Sequence, residues 1–120
     1  MKYLLAIYGN DDVWNQLSPE HLQQLIKDTD AHNNSLFASG ELIGAYGVAD
    51  QTEAKKVRVT DSATVVTDGP YIEAKEYLGS FYVIDCESLE RAIEIAAEMP
   101  GARLTDVEIR PLLHEGRPDV

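Results

Sequence analysis

Two side chains in this sequence have the chemistry of proton transfer. His32 falls on the inward stripe of an amphipathic segment, and Asp28 lies four residues before it, where a helix brings the carboxylate alongside the imidazole. An imidazole titrates near neutrality and is a natural general base. Asp68 opens the turn Asp68-Gly69-Pro70-Tyr71. A carboxylate held by such a corner at the mouth of a pocket can act as acid, base or orienting partner. Glu73, Lys75 and Glu76 follow at once. On an extended chain Glu73 and Lys75 share one face and Glu76 takes the other, so Lys75 can cap a pocket for an anionic group. Tyr8, Tyr46, Tyr77 and Tyr82 offer apolar walls with hydroxyl handles. His32 and Asp68 are thus the expected catalytic pair, and Tyr46, Glu73, Lys75 and Tyr82 the expected substrate-binding set.

Each of these has a plainer reading. His32 also suits a semi-polar core position or a pocket wall. In Asp68-Gly69-Pro70 the Asp bonds its own backbone, the Gly takes an unusual φ/ψ and the Pro fixes the next φ, which is enough to make a strand-ending corner. Lys75 between two carboxylates reads as a surface ion pair, worth little. The tyrosines are equally at home in a core or a dimer interface. His21 lies in a first helical turn and His114 in the tail; three scattered histidines without carboxylates at ligand spacing make no metal site.

The elements that must position these residues follow from pattern. Residues 2–8 form an apolar strand bounded by Gly9-Asn10-Asp11. Ser18-Pro19-Glu20 starts a helix that runs to about Ala38 and ends at Gly40. Its apolar positions are Leu22, Leu25, Ile26 and Leu36, with Thr29, His32 and Asn33 between them on the same stripe. Leu42 to Val48 is a strand whose two glycines imply close backbone approach or a bulge. Residues 55–60 and 63–67 make a hairpin about Asp61-Ser62, and Tyr77 to Cys86 is the strongest strand. Ser88 caps a second helix with Leu89, Ala92, Ile93 and Ala96 inward, stopped by Pro100-Gly101. Leu104 to Leu112 is the last strand, with Val107 and Ile109 facing in. The pattern is α+β: βαββαβ with an extra hairpin, the ferredoxin-like plan. It predicts a single domain over residues 1–113 and a loose tail over 114–120.

Composition narrows the functions. At 120 residues and 44% hydrophobic content the chain can build one core without metals or disulfides. Its lone cysteine, Cys86, ends an apolar run and reads as a buried thiol. Twenty-one acidic against ten basic residues give a net charge of −11, which argues against nucleic-acid binding, where clustered Lys and Arg dominate affinity. The apolar opening is too short for a signal peptide, and no stretch approaches a membrane span, so a cytoplasmic location is expected. No phosphate-binding Gly-rich loop, nucleophile elbow or Cys/His cluster is present, and no cofactor is expected.

Two helices can cover only one face of the sheet. Several residues of the other face are large and apolar, and the simplest cover is a second copy packed sheet to sheet. A homodimer is expected.

The run from Val66 to Gly79, containing Asp68-Gly69-Pro70-Tyr71 and Glu73-Ala74-Lys75-Glu76, resembles the YCII-related family, and within it the branch named for an Asp-Gly-Pro-Phe motif. Tyr71 stands where that branch has Phe. The opening Met1 to Gly9, the helix start Leu17-Ser18-Pro19-Glu20, Gly40 before a Gly-containing strand, and the close with Ala96-Ala97 and Pro100 extend the resemblance over residues 1–113. It implies a ferredoxin-like dimer of the α/β-barrel kind, with two sheets around a central space. It also implies one of two functions. The first is a cofactor-free enzyme using a His and an Asp on a small organic molecule, aromatic or lactone-like. The second is a non-catalytic module that binds a small ligand or associates with a sigma factor. The histidine of the enzyme type, about three turns before the Gly of the next strand, falls on Thr29 here, and His32 lies one turn later. That departure favours the second function. A structural dimer without ligand is the third reading.

Overall fold

A computed structural model describes residues 1–69 and 75–116. Strand β1 (Lys2–Gly9) is the centre of the sheet, antiparallel to β5 (Tyr77–Asp85) on one side and to β6 (Val107–Pro111) on the other. Strand β2 (Leu42–Gly47) adds to the far side of β5, giving the order β2-β5-β1-β6. With one helix in each crossover this is the ferredoxin-like α+β plan. The hairpin strands β3 (Lys55–Thr60) and β4 (Ala63–Asp68) form a separate two-stranded sheet.

A short helix, α1 (Asp11–Asn15), occupies what reads as a plain turn in the sequence. Asn10 caps it, accepting from the Val13 N–H at 2.8 Å. Five residues are too few to show a helical period. Helix α2 (Pro19–Ser39) begins and ends as its sequence dictates: the Ser18 hydroxyl accepts from the His21 N–H, and Gly40 closes the helix in the left-handed region at φ 82°. Helix α3 (Leu89–Glu98) is capped by Ser88 in the same way.

The inward stripes differ from expectation in detail. Leu22 and Ile26 are about half exposed, while Leu25, Thr29 and Asn33 form the line that meets the sheet and Leu36 is fully buried. On α3 the buried line is Ala92, Ile95 and Ala96; Leu89 and Ile93 face outward. In both helices two adjacent i, i+4 lines carry apolar residues, and only packing selects one. The last strand is also shorter than expected, because residues 100–103 form a 3-10 turn that Leu104 closes by bonding the Gly101 carbonyl. The core gathers Tyr3, Leu5, Leu36, Leu42, Tyr82, Ile84, Ile95 and Met99, with Cys86 buried beside them.

Two β-bulges flank the strand β5. Between Ile7 and Tyr8 the register with β5 slips at Gly79, and between Leu42 and Gly44 the register of β2 slips at Ile43. Leu42 therefore opposes Ile84 on the helix side, yet Ala45 and Gly47, not Gly44 and Tyr46, oppose Tyr82 and Ser80 there. Tyr46 lands on the opposite face, where its ring lies 5.3 Å from that of Phe81. That face, bare of helices, presents Leu4, Tyr8, Tyr46, Phe81 and Val83 around Ala6. No helix among the described residues is long and apolar enough to cross a membrane.

One ion pair locks α3 to the start of β2. The Arg91 guanidinium donates to both Glu41 carboxylate oxygens at 2.8 Å. That fork holds the Glu41 carboxyl below the usual carboxylate range. In the C-terminal segment, Lys2 reaches Glu115 at 2.6 Å.

Candidate functional site

A cavity of about 250 Å³ lies between α2 and the helix-covered face of the sheet. Its construction is local. Leu25, Thr29 and Asn33 are spaced four residues apart and form one helical line. Ile7, Ala45, Gly47, Ser80 and Tyr82 face them from β1, β2 and β5, and Met99, Pro100 and Gly101 close one end. A Cβ at Gly47 would meet no atom within 4 Å, so this glycine leaves the floor open. Trp14 closes the remaining side from α1. It lies so close over Gly9 that a Cβ there would sit 2.2 Å from the indole.

The polar groups of this cavity are all neutral. Thr29 and Ser80 supply hydroxyls. The Tyr82 side chain is buried, and burial raises its phenol above the ordinary value, while a hydrogen bond from Asn33 acts in the opposite, weaker sense. The Asn33 Oδ1 is buried with no hydrogen-bond partner among the described residues. A buried acceptor left unpaired costs free energy, about 1–3 kcal/mol.

A second cavity of about 330 Å³ shares Ile7, Trp14 and Ser80 as its wall. Asp50 and Tyr77 line its rim. The Tyr77 hydroxyl donates to the Asp11 carboxylate at 2.6 Å, which raises its pKa. The Trp14 indole also bonds the Tyr77 hydroxyl, so Asp11, Trp14 and Tyr77 tie α1 to β5.

The expected site residues are scattered over the chain. His32 turns toward α3: its Nε2 lies 3.9 Å from Glu98, and neither ring nitrogen has a hydrogen-bond partner among the described residues. Burial lowers its pKa more than Glu98 raises it, so the imidazole is neutral at neutral pH and the contact is not a charged pair. Asp28 does not orient it; Asp28 accepts from Gln24 at 2.8 Å instead. Asp68 ends β4 with its side chain 85% exposed and paired to Lys55. Gly69 follows at φ 88° and donates to the Ala54 carbonyl, so the corner has the backbone geometry that its Gly suggests, while the Asp68 side chain bonds Lys55. Lys75 is exposed. Glu73, with Pro70 and Tyr71, lies outside the described residues. Tyr82 faces the cavity; Tyr46 borders it through its strand, with its ring on the other face. Among the described residues no group of three His, Cys, Asp or Glu could hold a metal ion.

The sequence puts Thr29 and Asn33 on the inward stripe, but no pattern in it marks Trp14, Gly47 or Ser80 as cavity residues. Gly9 is the available signal for the aromatic wall, since a glycine at a strand end often marks close approach of another group.

Three comparisons place the chain among known proteins. A model of the YCII-related domain matches residues 1–115. An uncharacterized protein, R00369, of Rhizobium meliloti (strain 1021) is 32% identical over 114 residues, which is 93% of this chain and 92% of that one. The solved structure of 5-chloro-2-hydroxyhydroquinone dehydrochlorinase from Burkholderia phenoliruptrix AC1100, in complex with 2,5-dihydroxybenzoquinone, superposes with a TM-score of 0.50 at 18% identity, covering 96% of each chain. At that identity the likeness is one of fold.

Proposed function

The chain belongs to the YCII-related family, and from that premise we propose that it binds one small, neutral, ring-sized molecule bearing hydroxyl groups in the cavity beneath α2. The carrying observation is the lining of the cavity, in which the neutral polar side chains of Thr29, Asn33, Ser80 and Tyr82 stand among apolar ones. Pockets of this kind use a few fixed polar groups to orient an otherwise apolar ligand. Size supports the same reading: an apolar cavity of about 150 Å³ takes up benzene, so this one has room for a single substituted ring. The absence of any His, Asp, Glu, Lys or Arg among the described residues of its wall, with Thr29 in place of a histidine, supports binding over acid–base catalysis.

The dehydrochlorinase of similar fold was captured with a ring carrying hydroxyl and carbonyl groups, which makes neutral hydroxylated aromatics the first probes. Titration of labelled protein with hydroquinone and catechol, followed by NMR, is expected to shift the Asn33, Ser80 and Ala45 resonances together. Shifts confined to the surface, or none across the panel, would reject the reading. Catalysis by His32 and Asp68 is the competing proposal supplied by the family resemblance. A turnover lost in both His32→Ala and Asp68→Ala would put it first.

The bare sheet face supports a second element of the reading: two copies pack through Leu4, Tyr8, Tyr46, Phe81 and Val83. Tyr46 is 55% exposed in the single chain, an uncommon setting for an aromatic stacked on another apolar ring. Sedimentation at micromolar concentration is expected to give a dimer, and a monomer there would refute it.

A further inference from the structure

The hairpin of β3 and β4 stands apart from the body. Its strands hydrogen-bond only each other in register from Lys55↔Asp68 to Thr60↔Ala63, and the Gly69 N–H closes its base on Ala54. Asp61 and Ser62 turn the tip with φ of 48° and 70°, the left-handed pair that a two-residue hairpin turn requires. The register puts Val57 opposite Val66 on one face and Arg58 opposite Val65 on the other. Val57, Val59, Val65 and Val66 are between 45% and 68% exposed. A two-stranded hairpin alone is at best marginally stable in water, and here the valines that would support it remain about half exposed or more among the described residues.

Charge indicates what covers them. Lys55, Lys56 and Arg58 are three of the chain's ten basic residues, all in β3; with Asp61 and Asp68 the arm over residues 55–68 carries a net charge of +1 (3 − 2), against −12 (7 − 19) for the rest of the chain. Lys55 is paired to Asp68, which leaves Lys56 and Arg58 as the basic groups of a valine-bearing ribbon on an acidic protein, and the surface they complement is that of another copy of the same protein. Six residues per strand reach roughly 20 Å, enough to pass the edge of its own sheet.

We propose that the β3–β4 arm is an interaction surface for a second copy of this chain, each arm of a two-fold dimer lying on the body of the other. Val57, Val59 and Val66 share the face that packs on apolar surface, while Lys56 and Arg58, with Val65 on the other face, reach round the edge of the ribbon to carboxylates of the partner. This rests on the reading that two copies associate, and it goes beyond the sheet-face contact by assigning the arm a share of the interface.

The test compares wild type with Val57→Asp/Val66→Asp on the arm and Phe81→Asp on the sheet face, by sedimentation equilibrium and amide hydrogen exchange. The arm variant is expected to weaken dimerisation by at least about a hundredfold with an unchanged circular dichroism spectrum, since the arm lends no residue to the core. Arm amides are expected to be protected in the wild-type dimer and to exchange at once in the variant. A wild-type dimer whose arm amides exchange freely, with the arm variant equally tight, overturns the arm proposal and leaves the sheet-face reading standing. A wild-type monomer overturns both. Dissociation by Val57→Asp/Val66→Asp but not by Phe81→Asp supports the arm and overturns the sheet-face contact. Lys56→Glu/Arg58→Glu, which leaves the valines in place, is expected to weaken the dimer in the same direction and to abolish most of its salt dependence. An unchanged dimer with unchanged salt dependence in this variant also counts against the proposal.

Discussion

Replacing Gly47 by Leu separates the fold from the site more cleanly than any other single change. Gly47 opposes Ser80 on the helix-covered face, borders the cavity, and has open space where a Cβ would stand. Its φ lies outside the left-handed region, so a side chain costs no backbone strain. The four carbons of Leu, at about 0.8 kcal/mol per buried carbon, would stabilise the fold by about 3 kcal/mol if fully enclosed. Gly47 sits at the open end of the cavity, so roughly half of that is expected, about 1–2 kcal/mol, with a further ~0.5 kcal/mol from removing a strand glycine. A typical substitution acts the other way, destabilising by about 1 kcal/mol. Urea unfolding followed by emission of Trp14, the only tryptophan, measures the stability. The NMR titration with hydroquinone measures the binding, which is expected to disappear. A loss of more than about 1 kcal/mol would mean that the space is filled in solution. A stabilised variant that still binds hydroquinone at Asn33 would mean that the ligand sits elsewhere.

Other consequences are independent of that one. His32 is held neutral by burial, so below its ordinary value of 6.5 the unfolded chain takes up more protons than the folded one; stability is complete above that pH and is lost as pH falls through it. His32→Asn is expected to flatten the urea midpoint between about pH 7.5 and 5.5, and an unchanged slope would refute the burial argument. Ile95→Ala, at a fully buried position, is expected to lower stability by about 3 kcal/mol in the same urea assay. Tyr77→Phe removes the hydroxyl that joins Asp11 and Trp14; Trp14 emission is expected to shift to the red as α1 loosens, and an unchanged spectrum would show that the Gly9 contact alone fixes the ring.

Much of the architecture is legible in the sequence because single residues carry it. Ser18 with Pro19, Gly40 and Ser88 each specify one helix end by one hydrogen bond or one backbone region, and the hairpin follows from alternating valines about Asp61-Ser62. The candidate site is less legible. Leu22 and Leu25 are equally apolar, and the choice between their two helical lines is made by the sheet beneath. His32 and Thr29 lie on one stripe in the sequence, yet one turns to α3 and the other to the cavity. Trp14 rides on a helix of five residues whose position depends on a glycine and on Tyr77, sixty-three residues away. Chemistry read from residue type alone therefore points to His32 and Asp68, while the polar side chains lining the cavity are those of Thr29, Asn33, Ser80 and Tyr82.

The bulge at Ile43 decides whether there is a cavity at all. With unbroken alternation from Leu42, the side chains turned toward α2 would be those of residues 44 and 46, and the Tyr46 ring would occupy the space now bordered by Ala45 and Gly47. One extra residue in an edge strand exchanges a tyrosine for an alanine and a glycine beneath the helix. Deleting Ile43 would only straighten β2, leaving Ala45 and Gly47 opposite Tyr82 and Ser80; inserting one residue after Gly44 would instead bring Tyr46 opposite Ser80, as its own permanent occupant of the space. The capacity of this fold to hold a ligand is in that sense a matter of counting: a single-codon insertion after Gly44 is enough to close it, with every other element left in place.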